Sequence, residues 1–344
     1  MQYQLLQAVL ELTTQCNFHC LHCGSDCDQS VDSNELSIVD WQNCLVQLAK
    51  LGTCQITFSG GESVLHKGFE QLIVQAAQVG LKYGIITNGS GIHPALLEVI
   101  ARYKPFAVGF SLDGLEATHN YIRQHKNSYG MLMATVVALQ QRKIPVTVVT
   151  TLNKMNIVEL DALMEVIVDA GFSGWQIQLS MPFGRMSQHR DWLINQEEFQ
   201  IACAKIIQFR VLHPHIKIEA ADCFGPAPAD MIRDDEQFGC GAGIVALGID
   251  AYGNVLPCLS FRGAASCGNI RQKSLQEIWQ FSSGFDFNRQ FQSSRIGQNC
   301  RGCRLVTTCR GGCASNSVAY TGEPHNSPFC FLRSFYPVFE GGEI

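Results

Sequence analysis

At 344 residues, 46% hydrophobic and 16% charged, the chain can bury a large core and is only lightly charged. A formal net charge of −5 leaves no basic stripe to neutralise phosphates, which argues against a nucleic-acid partner. Residues 1–12 lack the pattern of a signal peptide and no apolar run is long enough to span a bilayer, so a soluble, cytoplasmic protein with no membrane partner is expected. Sixteen cysteines then need an explanation other than disulfides, because that compartment keeps thiols reduced. Three lie near the front and seven form a spaced array from Cys240 to Cys330, so metal or cluster ligation is the leading reading.

In chain order, strand-like runs at 8–13, 54–59, 82–87, 106–112, 146–151 and 175–180 alternate with amphipathic helical patterns. The helices fall at 38–51, 69–79, 95–103, 129–141, 157–170 and 197–212. Six βα units in a row predict a parallel sheet with helical crossovers, its apolar strands buried on both faces. An open doubly wound sheet and a partial barrel both fit the count. The polar and glycine-rich segments all follow strand ends, where barrels gather their active groups. That placement favours an α/β partial (β/α)6 TIM-type barrel over residues 1–212. Residues 213–238, rich in Pro, Ala and Asp, read as a connector. Residues 239–344 carry the cysteine array, a hairpin signal at 250–254 and one helix near 274–281. So loop-rich a region needs staples, and metal clusters supply them.

Cys16, Cys20 and Cys23 form a C-x3-C-x2-C run in a polar stretch after the first strand. Three thiolates hold three irons of a cubane and leave the fourth open, as an open catalytic zinc site keeps a free position. Read alone, such a triplet equally suits a zinc site completed from elsewhere, or buried thiols. Ser59-Gly60-Gly61-Glu62, Thr87-Asn88-Gly89 and Ser111-Leu112-Asp113-Gly114 likewise read alone as turns or strand ends. Their order after the first four strands joins them.

Together these residues resemble the radical S-adenosylmethionine (radical SAM) superfamily, with His22 where an aromatic residue is usual. The resemblance implies a [4Fe-4S] cluster on Cys16, Cys20 and Cys23 that binds S-adenosylmethionine. It implies that glycines 60 and 61 let the methionine amine approach Glu62. Asn88, Ser111 and Asp113 would meet ribose and carboxylate, and Arg123 is a weaker candidate for the carboxylate. Pro182-Phe183-Gly184-Arg185 would line the adenine side. Catalysis would run by reductive cleavage to a 5′-deoxyadenosyl radical that takes hydrogen from a substrate C–H.

The C-terminal array, Cys240-x12-Gly253-x4-Cys258 and then Cys300-x2-Cys303-x5-Cys309-x3-Cys313 with Cys330, resembles a SPASM domain. That resemblance implies two auxiliary [4Fe-4S] clusters. The outer one would use Cys300, Cys303, Cys309 and Cys330, and the inner one Cys240, Cys258 and Cys313. Sulfatase-maturing relatives carry a further cysteine before the first of these and an Asp after the second. Here residues 234–239 contain no cysteine and Leu259 follows Cys258. The inner cluster therefore has an open iron, or is completed by Cys223 or Cys267. A zinc ribbon is the alternative for the CxxC. Cys27 reads as a loop residue or a redox thiol near the site, and Cys44, Cys54 and Cys203 as packing. The leading functional expectation is oxidative modification of a ribosomally made peptide, with an electron donor such as flavodoxin or ferredoxin. The barrel pattern starts almost at once, so a leader-binding partner or the SPASM domain itself would recognise the peptide. The alternatives are a tetrapyrrole (haem-pathway) or other small-molecule radical SAM enzyme, an iron–sulfur electron carrier, or a zinc-stapled binding module.

Overall fold

The computed structural model describes residues 3–30, 32–226, 239–261 and 266–335. Its strands are β1 (Gln7–Glu11), β2 (Gln55–Ser59), β3 (Lys82–Thr87), β4 (Ala107–Ser111), β5 (Val146–Leu152), β6 (Gly174–Leu179), β7 (Lys217–Ala220), β8 (Ala246–Ile249), β9 (Asn254–Leu256) and β10 (Gly268–Asn269). They form one sheet in the order β10-β9-β8-β1-β2-β3-β4-β5-β6-β7. β1 to β7 are parallel neighbours throughout, and β8 adds in parallel to the free side of β1. The crossover helices are α1 (Ile38–Lys50), α2 (Phe69–Gln78), α3 (Pro94–Tyr103), α4 (Glu116–Arg123), α5 (Ser128–Gln140), α6 (Leu160–Asp169) and α7 (Gln196–Leu212). Capping boxes start two of them, Ser37 with Asp40 on α1 and Asn195 with Glu198 on α7, satisfying otherwise unpaired amides of the first turn.

Three features differ from the sequence expectation. Lys217–Ala220, within the expected connector, is a seventh parallel strand; four residues alternating charge with Ile218 give too short an apolar signal to read. The rest of that connector, residues 227–238, lies outside the described residues. The expected hairpin is present as antiparallel β8 and β9, and it joins the barrel sheet instead of standing apart. Finally, the strands are not buried on both faces. In β2, Ile56 and Phe58 are fully buried under the helices, whereas Gln55, Thr57 and Ser59 line an internal cavity of about 1080 Å³. Gln176 and Gln178 of β6 do the same. The period-2 alternation places polar residues inside the barrel and apolar residues against the helices. No helix among the described residues is long and apolar enough to cross a membrane.

Candidate active site

The segment after β1 is irregular, as a loop that wraps thiols must be. Its base is tied down by the Glu35 carboxylate, which accepts from the Thr14 amide (2.6 Å) and from the Thr13 (2.8 Å) and Thr14 (2.7 Å) hydroxyls. Cys16, Phe18, Cys20 and Cys27 pack together, with Cys23 against them. Burial pushes the Cys16 thiol up to about 12, whereas a hydrogen bond from Cys27 brings Cys23 down to about 5. Cys16, Cys20, Cys23 and Cys27 all line the large cavity.

Gly60 and Gly61 follow from close approach within the chain itself. The Gly61 amide donates to Thr13 O and the Glu62 amide to Gln15 O, both at 2.8 Å. A Cβ on Gly61 would lie 2.4 Å from Gln15 O, so any side chain there pushes the cysteine loop away. Glu62, 1% exposed, accepts from the Thr87 hydroxyl and the Asn88 amide at 2.7 Å each. Burial raises its pKa to about 7. Asn88 bonds Asn17 of the cysteine loop at 2.9 Å, joining the third strand end to the first.

The fourth strand end departs from expectation. Ser111 faces the cavity, and Asp113 is absent from its walls. The Asp113 carboxylate is taken up by the Thr151 amide (2.9 Å), His22 Nε2 (2.9 Å) and an ion pair with Arg123. Burial opposes its ionisation, but Arg123 and His22 hold its carboxyl well below the usual carboxylate range. Asp113 thus orients His22 and Arg123. Arg123, the weaker candidate from sequence, lines the cavity, and its Nη1 lies 3.7 Å from Cys20 Sγ. The residues of α4 that face inward are His119, Ile122 and Arg123. Two of the three are polar, so the helix shows no apolar stripe in the sequence. His119 Nδ1 accepts from the Asp113 amide at 3.1 Å, and burial lowers its pKa to about 3, keeping it neutral.

Arg185 makes contacts that the sequence did not announce. It lines the cavity, but its guanidinium is spent on the cysteine loop, donating to Cys20 O (2.8 Å), Cys27 O (2.9 Å) and Asp26 Oδ1 (2.9 Å). Its amide donates to Cys23 O at 2.9 Å. Gly184 before it has φ of +53°, and a Cβ there would meet Cys23 O at 2.4 Å. The signal was available in the Gly-Arg pair; its target, three carbonyls more than 150 residues upstream, was not.

In the C-terminal region, Cys300, Cys303, Cys309 and Cys330 line one small cavity together. Cys240, Cys258 and Cys313 are electrostatic neighbours of one another, and Cys223 also acts on Cys313. The surrounding loops are held by buried polar side chains: Asn288 donates to Cys240 O and Ala242 O at 2.8 Å, and His325 bridges Arg310 O and Phe287 O. Cys267 belongs to neither set; it packs on Gly284 beside Ser282 and Arg289. Leu259 and Ser260, just after Cys258, reach the barrel cavity.

These residues suit an iron–sulfur core and a charged cofactor. Three thiols border a cavity with room beside them, and two buried polar atoms without a partner, His22 Nδ1 and Arg123 Nε, belong to residues on its wall. Sequence models agree. The radical SAM superfamily model matches residues 10–167, and the SPASM iron–sulfur cluster-binding domain model matches residues 240–304. The chain belongs to the radical SAM superfamily and carries a SPASM domain.

Membership makes it an enzyme and implies iron–sulfur clusters and S-adenosylmethionine binding. The chain is 26% identical over 325 residues to the PqqA peptide cyclase of Ruegeria pomeroyi, covering 93% of this chain and 85% of that protein. It is 24% identical over 341 residues to the AdoMet-dependent heme synthase of Methanosarcina barkeri, covering 94% and 95%. In fold it is similar to Streptococcus suis SuiB bound to S-adenosylmethionine, at a TM-score of 0.75 and 16% identity, covering 95% of this chain and 76% of SuiB. It is also similar to anSMEcpe with bound AdoMet, at a TM-score of 0.73 and 16% identity, covering 97% and 96%.

Proposed function

We propose that this chain is a radical SAM maturase that oxidatively modifies a C–H position of a ribosomally made peptide. The observation that carries the reading is the cavity of about 1080 Å³, which runs from the cysteine loop down a polar barrel interior. That lies at the upper end of the ~300–1,000 Å³ of ordinary small-ligand pockets, room for a nucleoside cofactor and a substrate group beside it. The peptide-cyclase relative supports the same class.

Cys16, Cys20 and Cys23 would hold the catalytic cluster, and the two C-terminal sets the auxiliary ones, ten cysteines for three cubanes. When bound, the cluster and S-adenosylmethionine supply one-electron cleavage to a 5′-deoxyadenosyl radical, given a donor of flavodoxin or ferredoxin type. The protein's residues do the positioning. Glu62 receives the methionine ammonium, which brings its raised pKa back down. Arg123, its charge fixed by Asp113, receives the carboxylate, and Ser111 and Asn88 take the remaining polar atoms. Arg185 holds the thiol loop in place, and the barrel walls keep water from the reacting carbon.

The test is anaerobic reconstitution, reduction and addition of S-adenosylmethionine, with 5′-deoxyadenosine read by mass spectrometry and Cys16→Ala as control. Product lost in the control supports the reading. Zinc without acid-labile sulfide in the wild type would overturn it. The heme-synthase relative favours a second reading, side-chain oxidation of a tetrapyrrole. Deuterium passed into 5′-deoxyadenosine from a labelled tetrapyrrole, and not from a candidate peptide, would select it.

A further inference from the structure

The end of α4 is fastened to the cysteine loop by backbone, ring and side chain. The Leu21 amide donates to Ile122 O at 2.9 Å. The Phe18 ring stacks on His125, with 4.7 Å between centroids and 24° between planes. Arg123 Nη1 donates to Cys20 Sγ at 3.7 Å. Both partners of this last bond are buried, Arg123 at 9% and Cys20 at 6% exposed, so water screens it little.

The guanidinium is divided among separate tasks. Its Nη2 pairs with Asp113, whose carboxylate also bonds His22 Nε2 at 2.9 Å. Its Nε has no partner, and Arg123 lines the cavity, so Nε stays free for the cofactor carboxylate assigned to it above. The loop does not need Nη1 as a clamp, because Leu21 and Phe18 already hold it against α4. What Arg123 adds is positive charge aimed at one sulfur. The other arginine of the loop is directed elsewhere: Arg185 gives its guanidinium to the carbonyls of Cys20 and Cys27 and to Asp26.

We propose that Arg123 tunes the catalytic cluster through Cys20, making it easier to reduce, and that Asp113 limits the effect by partly neutralising the guanidinium. The inference rests on the assignment of Cys16, Cys20 and Cys23 to that cluster. Reduction adds negative charge that spreads onto the ligand sulfurs. A charged donor to sulfur therefore stabilises the reduced form more than the oxidised one, and such bonds are among the groups that set cluster potentials. Removing the donor and removing its counter-charge should then shift the potential in opposite directions.

The experiment uses the full chain, reconstituted anaerobically and titrated with dithionite under electron paramagnetic resonance. S-adenosylmethionine is left out, so that carboxylate binding by Arg123 plays no part. The catalytic-cluster signal is the one lost in Cys16→Ala. Arg123→Met should make reduction about tenfold less favourable, a fall of about 59 mV in midpoint potential. Arg123→Met combined with Asp113→Asn should fall likewise, and it leaves no unpaired buried charge should the single variant fail to fold. Asp113→Asn alone should rise, and Arg123→Lys should lie between Arg123→Met and the parent. The auxiliary-cluster potentials should stay parental and report a folded chain. A parental midpoint in the combined variant, or a fall in Asp113→Asn, overturns the assignment. Weakened S-adenosylmethionine binding with a parental midpoint would strike this inference and leave the carboxylate role standing. A parent that holds no sulfide sinks the cluster reading itself, a separate failure.

Discussion

Replacing Arg185 tests whether the thiol loop is preorganised from the far side of the barrel. Arg185→Ala removes the bonds to Cys20 O and Cys27 O, both buried, and the ion pair to Asp26, which is exposed. Hydrogen bonds from a charged donor contribute about 1.5–3 kcal/mol each, and an exposed ion pair little. The two carbonyl bonds together therefore stabilise the closed loop by about 3–6 kcal/mol. At about 1.4 kcal/mol per tenfold, their loss raises the population of the open loop by about 10²–10⁴. The Arg185 amide bond to Cys23 O survives the change, so the loop loosens and the barrel stays folded. Amide hydrogen exchange over residues 16–28 of the cluster-free protein reads the effect directly, and the rate of iron loss to a chelator reads it in the loaded enzyme. Arg185→Lys should recover at most one of the bonds, because an ammonium cannot fork as a guanidinium does. Parental exchange in this loop together with parental iron retention in Arg185→Ala would refute the reasoning.

Four further outcomes follow from the site. With the Glu62 pKa raised to about 7 by burial, S-adenosylmethionine affinity should fall up to about tenfold per pH unit below that value, as the carboxylate that pairs the ammonium is lost; calorimetric titration of wild type and Glu62→Gln checks this, and a wild-type profile flat through pH 7 counts against it. The same group binds its extra proton in the folded state between pH 4.5 and about 7, so the cluster-free protein should lose about 3 kcal/mol of stability as pH rises through that window, a loss absent in Glu62→Gln. Asp113→Asn leaves Arg123 as an unpaired buried cation and should cost about 3–5 kcal/mol in urea unfolding; the pair's stabilisation is complete above the usual carboxylate range and erodes only as pH falls below it, so an unchanged midpoint at neutral pH would dismiss the network. Cys267→Ala should retain full iron with about 1 kcal/mol of lost packing, whereas Cys258→Ala should lose the inner cluster's iron; equal iron loss in both would return Cys267 to the ligand set.

The repeating βα pattern was legible because each strand and helix carries its own period, and the observed bounds differ from the read ones by at most three residues. The exceptions have physical causes. α4 hides because its inward face carries His119 and Arg123 in place of apolar residues. β7 and β10 hide because two to four residues cannot display a period. Polar barrel positions such as Gln55 and Gln176 went unread as lining because a strand's sequence does not say which face meets helices and which meets a void.

For the site, spacing was enough for groups that act through one short segment. Cys16, Cys20 and Cys23 must share a loop, and the glycines before Glu62 must admit a close neighbour, so local sequence determined both. What the fold alone decided are the long-range pairings. Asp113 pairs with Arg123 and His22, Arg185 reaches back to the carbonyls of Cys20 and Cys27, and Cys267 packs beside Ser282 and Arg289. Each depends on where a side chain ends in space relative to residues far along the chain. Such distances are set by how strands stack in register and helices cross them, which no spacing within a single segment encodes.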